Sequence, residues 1–151
     1  MNELLRFVGI DKEARDDASC VWLLLRAHLD RVIEDFYASV KDIDLGISID
    51  DVMIDRLKTR QKQHWEALFG SQFDQRYFDS VSLIGIKHRE IGIDPKWYIA
   101  GYADMKTRLT RVIRDSALLP TTKARLIEVL DKYVVVDMAV AVSSYDAWLV
   151  Q

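Results

Sequence analysis

Apolar side chains recur along most of this chain at intervals of three and four residues, which is the spacing of one face of an α-helix. The clearest helical stretches cover residues 14–37, 52–68, 77–91, 97–113 and 122–149. Glycine, proline and aspartate fall between these stretches, where helices usually end and begin. A shorter apolar stretch precedes them and ends at Gly9. The pattern predicts an all-α domain of long helices joined by short turns, with one short helix at its N-terminus.

Single residues predict several helix boundaries. Asp11, Asp74 and Asp94 each precede an apolar stretch, where an aspartate side chain can accept a hydrogen bond from a first-turn backbone amide. The stretch from 14 to 37 is long enough to bend into two helices, whereas residues 42–51 lose the helical period. We therefore expect the chain to turn a corner in that segment.

Size and charge narrow the range of functions. A chain of 151 residues fits one domain with one sizeable core, and half of its residues are hydrophobic while 30% are charged. The formal net charge is −3, so the chain has no general attraction to the phosphates of nucleic acid. The most apolar stretch, residues 134–142, contains Asp137 and is far shorter than the roughly 20 residues of a transmembrane helix. The composition therefore predicts no nucleic-acid or membrane partner.

Two features favour a reducing, cytoplasmic location. The first residues carry charges and no long apolar run, unlike a secretory signal. The single cysteine, Cys20, has no partner for an intramolecular disulfide and is predicted to be a packed thiol among Ala18, Val21 and Trp22. Motifs of other chemistries, such as a glycine-rich phosphate loop or a zinc-binding helix, do not occur in the sequence.

One histidine lies on an apolar helix face. His88 follows Tyr77, Val81 and Ile84 by helical steps, and no carboxylate shares that stripe. Gly92 is placed to end the helix, and the Asp-Pro pair after it is placed to begin the next. A histidine on such a face is most often a hydrogen-bonded core residue, but an imidazole is also the ligand that haem iron uses. The residues alone leave both interpretations open.

A longer motif surrounds this histidine. The run His88-x-x-Ile-Gly-Ile-x-Pro-x-Trp-Tyr-x-x-Gly-Tyr102 resembles the proximal signature of the globin-coupled sensors, haem domains that regulate bacterial signalling proteins. Two further pieces resemble the distal half of that family, a Phe-Tyr pair and one face of a helix, namely Phe36, Tyr37, Leu57, Gln61, His64 and Trp65. The similarity extends from about residue 5 to the end of the chain.

The resemblance implies a globin fold over residues 1–151, a three-over-three-like helical sandwich with an extra short N-terminal helix. It implies haem b with His88 as the metal ligand. The residues implied to contact the cofactor or its gas ligand are His88, Tyr37, Phe36, Leu57, Gln61, Ile84, Ile91, Trp97 and Tyr98. The gas is expected to be oxygen, with carbon monoxide and nitric oxide as further ligands.

The resemblance also implies a sensor domain rather than an enzyme. The domain is expected to transmit its ligation state to a covalently linked output domain absent from this chain, such as a diguanylate cyclase, a histidine kinase or a chemotaxis transducer. We further expect a homodimer through the last two helices, because the apolar residues of the final helix occupy more than one face. One stripe of that helix is expected to pack on the globin core, and another to meet the second copy together with the preceding helix and its Leu109, Val112 and Ile113. The apolar residues that form these stripes of the final helix are Leu130, Tyr133, Val134, Val136, Met138, Ala141, Val142, Tyr145 and Leu149, of which Val134 and Val142 are expected at the interface.

Individual roles follow from the same resemblance. Tyr37 is expected to donate a hydrogen bond to a polar gas ligand, and Leu57 to control entry to the distal face. Gln61 either adds a polar group to that face or is simply solvated. Tyr98 either orients the proximal imidazole or is a core aromatic. Arg60 is placed to reach a haem propionate.

The other two histidines are rival ligands. His64 lies two turns after Leu57, so both share a face, and a bis-histidine form of the ligand-free ferric protein is an alternative. His28 has no partner motif and is predicted to lie at the surface or between helices.

Two other functions stay open. A haem-free globin-like interaction module of a stress-signalling complex would keep the helices and the dimer but lose the iron, and the presence of both His88 and Tyr37 argues against it. A haem peroxidase or nitric-oxide dioxygenase would need a reductant path or a distal acid–base pair, to which only Gln61 and His64 can contribute.

Overall fold

The computed structural model describes residues 2–147 of the chain, and within that range it contains seven α-helices and no strand. The helices are α1 Asn2–Val8, α2 Lys12–Leu25, α3 Leu29–Lys41, α4 Asp51–Phe69, α5 Gln75–Glu90, α6 Pro95–Arg114 and α7 Pro120–Ala147. The predicted all-α class and the short N-terminal helix are confirmed. The predicted extension of the last helix to Leu149 lies outside the described residues.

The helices begin and end where the sequence predicts. The side chains of Asp11, Asp74 and Asp94 accept hydrogen bonds of 2.8, 3.0 and 2.9 Å from backbone amides in the first turns of α2, α5 and α6. The apolar stretch over 14–37 divides after α2, and an irregular segment connects α3 to α4. Both predicted breaks are therefore confirmed.

Helix α7 lies at the centre of the fold. It packs against α1, α2, α4, α5 and α6, most extensively against α5 and α6. Most of the apolar residues of the last two helices are buried inside the protomer, namely Leu109, Ile113, Leu130, Tyr133, Val134, Val136, Ala141 and Tyr145. Three of them, Leu109, Ile113 and Val134, were expected at the dimer interface. A helix that is apolar on several faces can be covered by its own chain, and periodicity does not distinguish that case from a partner subunit. Val112, Met138 and Val142 are only partly buried.

One other packing prediction is wrong. Cys20 is exposed, because the buried face of α2 is formed by Ala14, Ala18, Val21 and Leu25, and Cys20 projects from a different side of the helix. Among the residues that the structure describes, no helix is both long enough and apolar enough to cross a membrane.

Helices α4 and α5 frame the candidate site. They are consecutive in the chain but not packed extensively against each other, and each contacts α7 instead. Helix α5 approaches α7 closely at Gly85, where an added Cβ would lie 2.4 Å from the carbonyl oxygen of Ala141. A glycine is needed there because backbone meets backbone. This contact fixes the helix that carries His88 against the centre of the fold.

Candidate functional site

His88 lies in the last turn of α5, with one ring nitrogen already bound. Its Nδ1 is 2.8 Å from the backbone carbonyl oxygen of Ile84. Because a carbonyl only accepts hydrogen bonds, Nδ1 carries the hydrogen and the Nε2 of the neutral ring keeps its lone pair. Burial lowers the pKa of His88 below 6.5, opposed by the bond to Ile84 and aided by the charge of His64. The result is a neutral imidazole with Nε2 available to bind a metal.

The aromatic ring of Tyr98 lies against this imidazole, with 4.5 Å between the ring centroids. The corner between α5 and α6 brings the two rings together: Gly92 has a φ of +89°, which favours glycine, and Pro95 is the first residue of α6. Tyr98 also packs against Tyr145 of α7, at 5.3 Å between centroids. The imidazole of His88 is thereby held by its own helix and by Tyr98 of α6, and Tyr98 is supported in turn by α7.

Tyr37 and Gln61 form a polar pair on α3 and α4. The Gln61 Nε2 donates to the Tyr37 hydroxyl oxygen at 3.3 Å, and Tyr37 is only 7% exposed. Burial raises the pKa of Tyr37, so the phenol keeps its hydrogen. Since the hydroxyl oxygen accepts from Gln61, that hydrogen points elsewhere. The Gln61 Oε1 is buried without a hydrogen-bond partner among the described residues, which suits a site that takes up a further polar group.

Phe36 and Leu57 complete the apolar surroundings of this pair. Phe36 packs edge-on against Tyr37 at 5.1 Å, and its ring lies beside Gly101 of α6, where an added Cβ would be 3.6 Å away. Leu57 is half-buried and packs against the hydrophobic core one turn before Gln61. Four of the predicted site residues therefore cluster where α3, α4 and α6 meet.

The three remaining predicted site residues lie on α5, at its C-terminal end and on α6. Ile84 is half-buried and contributes its carbonyl to His88. Ile91 is 39% exposed, because α5 ends at Glu90 and the apolar stripe of that helix cannot continue through it. Trp97 is half-buried, with the Lys96 ammonium 5.8 Å from the centre of its ring. Ile91 thus borders the surface, whereas Tyr37 lies deeper.

Sequence reasoning missed a buried carboxylate. Asp137 of α7 is 0% exposed and accepts three hydrogen bonds, from Tyr77 at 2.5 Å, from Tyr102 at 2.8 Å and from His64 at 2.7 Å. The sequence carried a signal for it, since an aspartate inside the most apolar stretch of the chain must find partners when it is buried.

The three histidines therefore differ in environment. His64 is bound to Asp137, and although burial alone lowers its pKa, the charge and hydrogen bond of Asp137 outweigh this and raise the pKa above 6.5. His28 is exposed just before α3, as predicted for a surface residue. Of the two histidines that are not exposed, His64 has its Nε2 bound to Asp137, whereas the Nε2 of His88 has no described hydrogen bond. Arg60 is exposed on α4.

Comparisons with known proteins identify the fold. The Protoglobin family model matches residues 1–148. The globin domain of a Geobacter sulfurreducens globin-coupled sensor superposes with a TM-score of 0.85 at 19% identity, covering 96% of this chain and 97% of that one. The globin domain of E. coli DosC superposes with TM-scores of 0.80 in its ferric form, at 19% identity, and 0.78 in its ferrous form, at 18% identity. These matches cover 94% and 93% of this chain, and 97% and 98% of the DosC domain. The predicted globin fold is confirmed.

Proposed function

This chain belongs to the Protoglobin family, and we propose that it is a haem-based gas sensor domain in which His88 binds the iron of haem b and oxygen is the physiological ligand. The observation that carries the proposal is the state of His88. Its Nδ1 is committed to the Ile84 carbonyl at 2.8 Å, and its pKa is lowered by burial, so the ring presents a neutral Nε2. Haem supplies an iron that binds diatomic gases reversibly.

The proximal residues orient this ligand. The Nδ1 hydrogen bond fixes the tautomer and the rotation of the imidazole, and electron density donated by the carbonyl makes Nε2 a better ligand. Tyr98 restricts the ring from its side at 4.5 Å. Ile84, Ile91 and Trp97 supply the apolar border of the site toward solvent.

The distal residues select the gas. The Tyr37 hydroxyl accepts a hydrogen bond from Gln61 and keeps its own hydrogen, which it can donate to a polar ligand such as oxygen. Carbon monoxide is less polar and gains less from the same donor. Leu57, with Phe36 behind Tyr37, limits the entry of water.

The arrangement favours sensing over haem enzymology. A peroxidase or dioxygenase needs a free distal acid–base group. His64 is bound to Asp137 and Gln61 is bound to Tyr37, so the two candidates for that role are engaged elsewhere. A haem-free interaction module is the remaining alternative. The haem content of the purified protein decides between a haem-based sensor and such a module.

We further propose that the domain belongs to a cytoplasmic multidomain sensor and dimerises through α6 and α7. Ile99, Val135, Met138 and Val142 are apolar and at least partly exposed on these helices. Such residues favour a partner surface. Helix α5 packs directly on α7 at Gly85, one residue from Ile84, so a displacement of the His88 helix would reach the proposed interface without passing through a loop. In this proposal, the ligation state of the haem iron is passed through the dimer interface to the output domain.

The test is the visible absorption spectrum of the purified protein, oxidised, reduced, and reduced under carbon monoxide. We expect a Soret band in each state, one haem per chain, and loss of the carbon monoxide complex in His88→Ala. His28→Ala is the matched control, because His28 is an exposed histidine of the same chain. A protein that takes up no haem after reconstitution, or a His88→Ala variant with an unchanged spectrum, contradicts the proposal.

A further inference from the structure

The buried carboxylate of Asp137 joins four helices beside the proposed haem site. Tyr77 of α5 and Tyr102 of α6 donate to it through their hydroxyls, and His64 of α4 binds it through Nε2. The His64 side chain is 13% exposed and the carboxylate is fully buried. The two tyrosines suit an ionised Asp137, because each provides a donor to the charged form.

The hydrogen bond to Asp137 blocks the metal-binding nitrogen of His64. A carboxylate with two tyrosine donors acts as an acceptor toward His64, so the His64 Nε2 carries a hydrogen in both the neutral and the protonated ring. The raised pKa of His64 also favours the protonated ring, which has no lone pair. In either state, Nε2 of His64 is not a ligand while Asp137 accepts from it.

His64 nevertheless lies next to the site. It is three residues after Gln61 on α4, so the two side chains share a helix face, and Gln61 contacts Tyr37 at 3.3 Å. Contacts between side chains also link His64 to the surroundings of His88. Tyr98 packs against the His88 ring at 4.5 Å and against Tyr102 at 5.2 Å, and both Tyr102 and His64 bind Asp137. A nitrogen base of the type that binds haem iron is therefore held close to the distal side.

We infer that Asp137 sequesters His64 as a latent sixth ligand of the haem iron, and that this restraint keeps the distal position open for gas. The inference rests on the proposed function. It assigns Asp137 a positioning role, exerted through His64, that is distinct from merely filling the core.

The inference also explains why Asp137 and its three partners, Tyr77, Tyr102 and His64, form a polar cluster inside the core. Packing alone would be served by apolar residues of similar size, since a buried ion pair seldom stabilises a core more than they do. An apolar residue at 137 would leave His64 with no described partner and a neutral ring free to bind iron. The carboxylate removes that competing state.

The experiment compares Asp137→Asn and Asp137→Leu with the unaltered protein, each in the presence and absence of His64→Leu. Absorption and electron paramagnetic resonance spectra report whether the iron is five-coordinate or bis-imidazole. Tyr102→Phe is the matched control, because it removes one hydrogen bond from the same carboxylate but leaves the bond to His64. Nitrogen-15 spectra of the haem-free protein report the hydrogen on the His64 Nε2 independently of iron.

We expect the unaltered protein and Tyr102→Phe to be five-coordinate in the ferrous state. The Asp137 variants are expected to form a low-spin bis-imidazole species, more fully with leucine than with asparagine, which retains an acceptor. If nine-tenths of the protein adopts that species, the apparent affinity for carbon monoxide falls about tenfold. Adding His64→Leu should restore the five-coordinate spectrum and the affinity.

Three results would overturn the inference while leaving the proposed function intact: Asp137 variants that stay five-coordinate, a low-spin species that persists without His64, or an unaltered protein that is already bis-imidazole through His64. If Asp137→Leu does not fold, the asparagine variant alone decides by the same criteria. Failure of the unaltered protein to bind haem would instead overturn the proposed function, and the inference with it.

Discussion

Gly85 provides a quantitative test of the contact between α5 and α7. A Cβ at this position would lie 2.4 Å from the Ala141 carbonyl oxygen, 3.1 Å from its carbonyl carbon and 3.2 Å from the Ser144 Cβ. The first distance must reach at least 3.0 Å, the closest approach of real Cβ atoms, and no rotamer change can relieve a clash with backbone. In Gly85→Ala, helix α5 must therefore move away from α7 by roughly half an ångström or more.

The magnitude follows from two opposing effects. Overpacking a tight interface costs about 1–3 kcal/mol, whereas alanine is better than glycine in a helix by about 1 kcal/mol. We expect a net loss of up to about 2 kcal/mol in the free energy of unfolding, which lowers the Tm by up to about 8 °C in a domain of this size. Because His88 is on the moved helix, the haem spectrum should shift as well.

Gly101→Ala is the matched control. Gly101 is also inside a helix, but an added Cβ there would lie 3.6 Å from the nearest ring atom of Phe36, an ordinary contact. Only the helix-propensity gain remains, so this variant should be about as stable as the unaltered protein or more stable by up to about 1 kcal/mol. Urea and thermal unfolding followed by circular dichroism measure both variants. A Gly85→Ala variant as stable as Gly101→Ala would refute the close packing of α5 on α7.

Three further predictions follow. Tyr37→Phe should release oxygen about two- to tenfold faster, the equivalent of a net hydrogen bond of about 0.5–1.5 kcal/mol, with little change for carbon monoxide; equal oxygen release rates in stopped flow would exclude the donor role. The raised pKa of His64 means that its bond to Asp137 stabilises the fold fully below pH 6.5 and loses that effect as the pH rises through the raised value. The stability difference between the unaltered protein and His64→Gln should therefore shrink with rising pH, and a difference that grows would show the opposite linkage. Val135→Glu, at a position 40% exposed, should weaken the dimer in light scattering without lowering the Tm, whereas Val134→Glu, at a position 2% exposed, should destabilise the protomer itself. A dimer that survives Val135→Glu would place the interface elsewhere.

Local sequence signals predicted most of the helices and the corner that carries the proximal side of the site. Asp94 accepts from the first turn of α6, and Gly92 adopts the positive φ that ends α5. These features depend on residues a few positions apart, and the side chains responsible have strong and specific backbone preferences. The motif around His88 identified the family for the same reason, because its residues are contiguous.

Features that depend on contacts between distant helices were predicted less well. The sequence predicts Leu109, Ile113 and Val134 at a dimer interface, whereas all three are core residues of the protomer. The prediction that these apolar residues are covered is correct, but the surface that covers them is not the predicted one. What covers an apolar residue depends on which helices surround it, and helix periodicity does not contain that information.

The sequence by itself determined the helical pattern, the caps and the family, because these follow from short-range spacing and residue type. Only the tertiary structure decided the state of each histidine. His64 and Asp137 are 73 residues apart in the chain and 2.7 Å apart in space. The Nε2 of His88 stays available because Tyr98 of α6 contacts the ring by packing, and the described hydrogen bond of the ring uses Nδ1. Burial and long-range hydrogen bonds set the protonation of an imidazole, and both arise only when distant segments pack together.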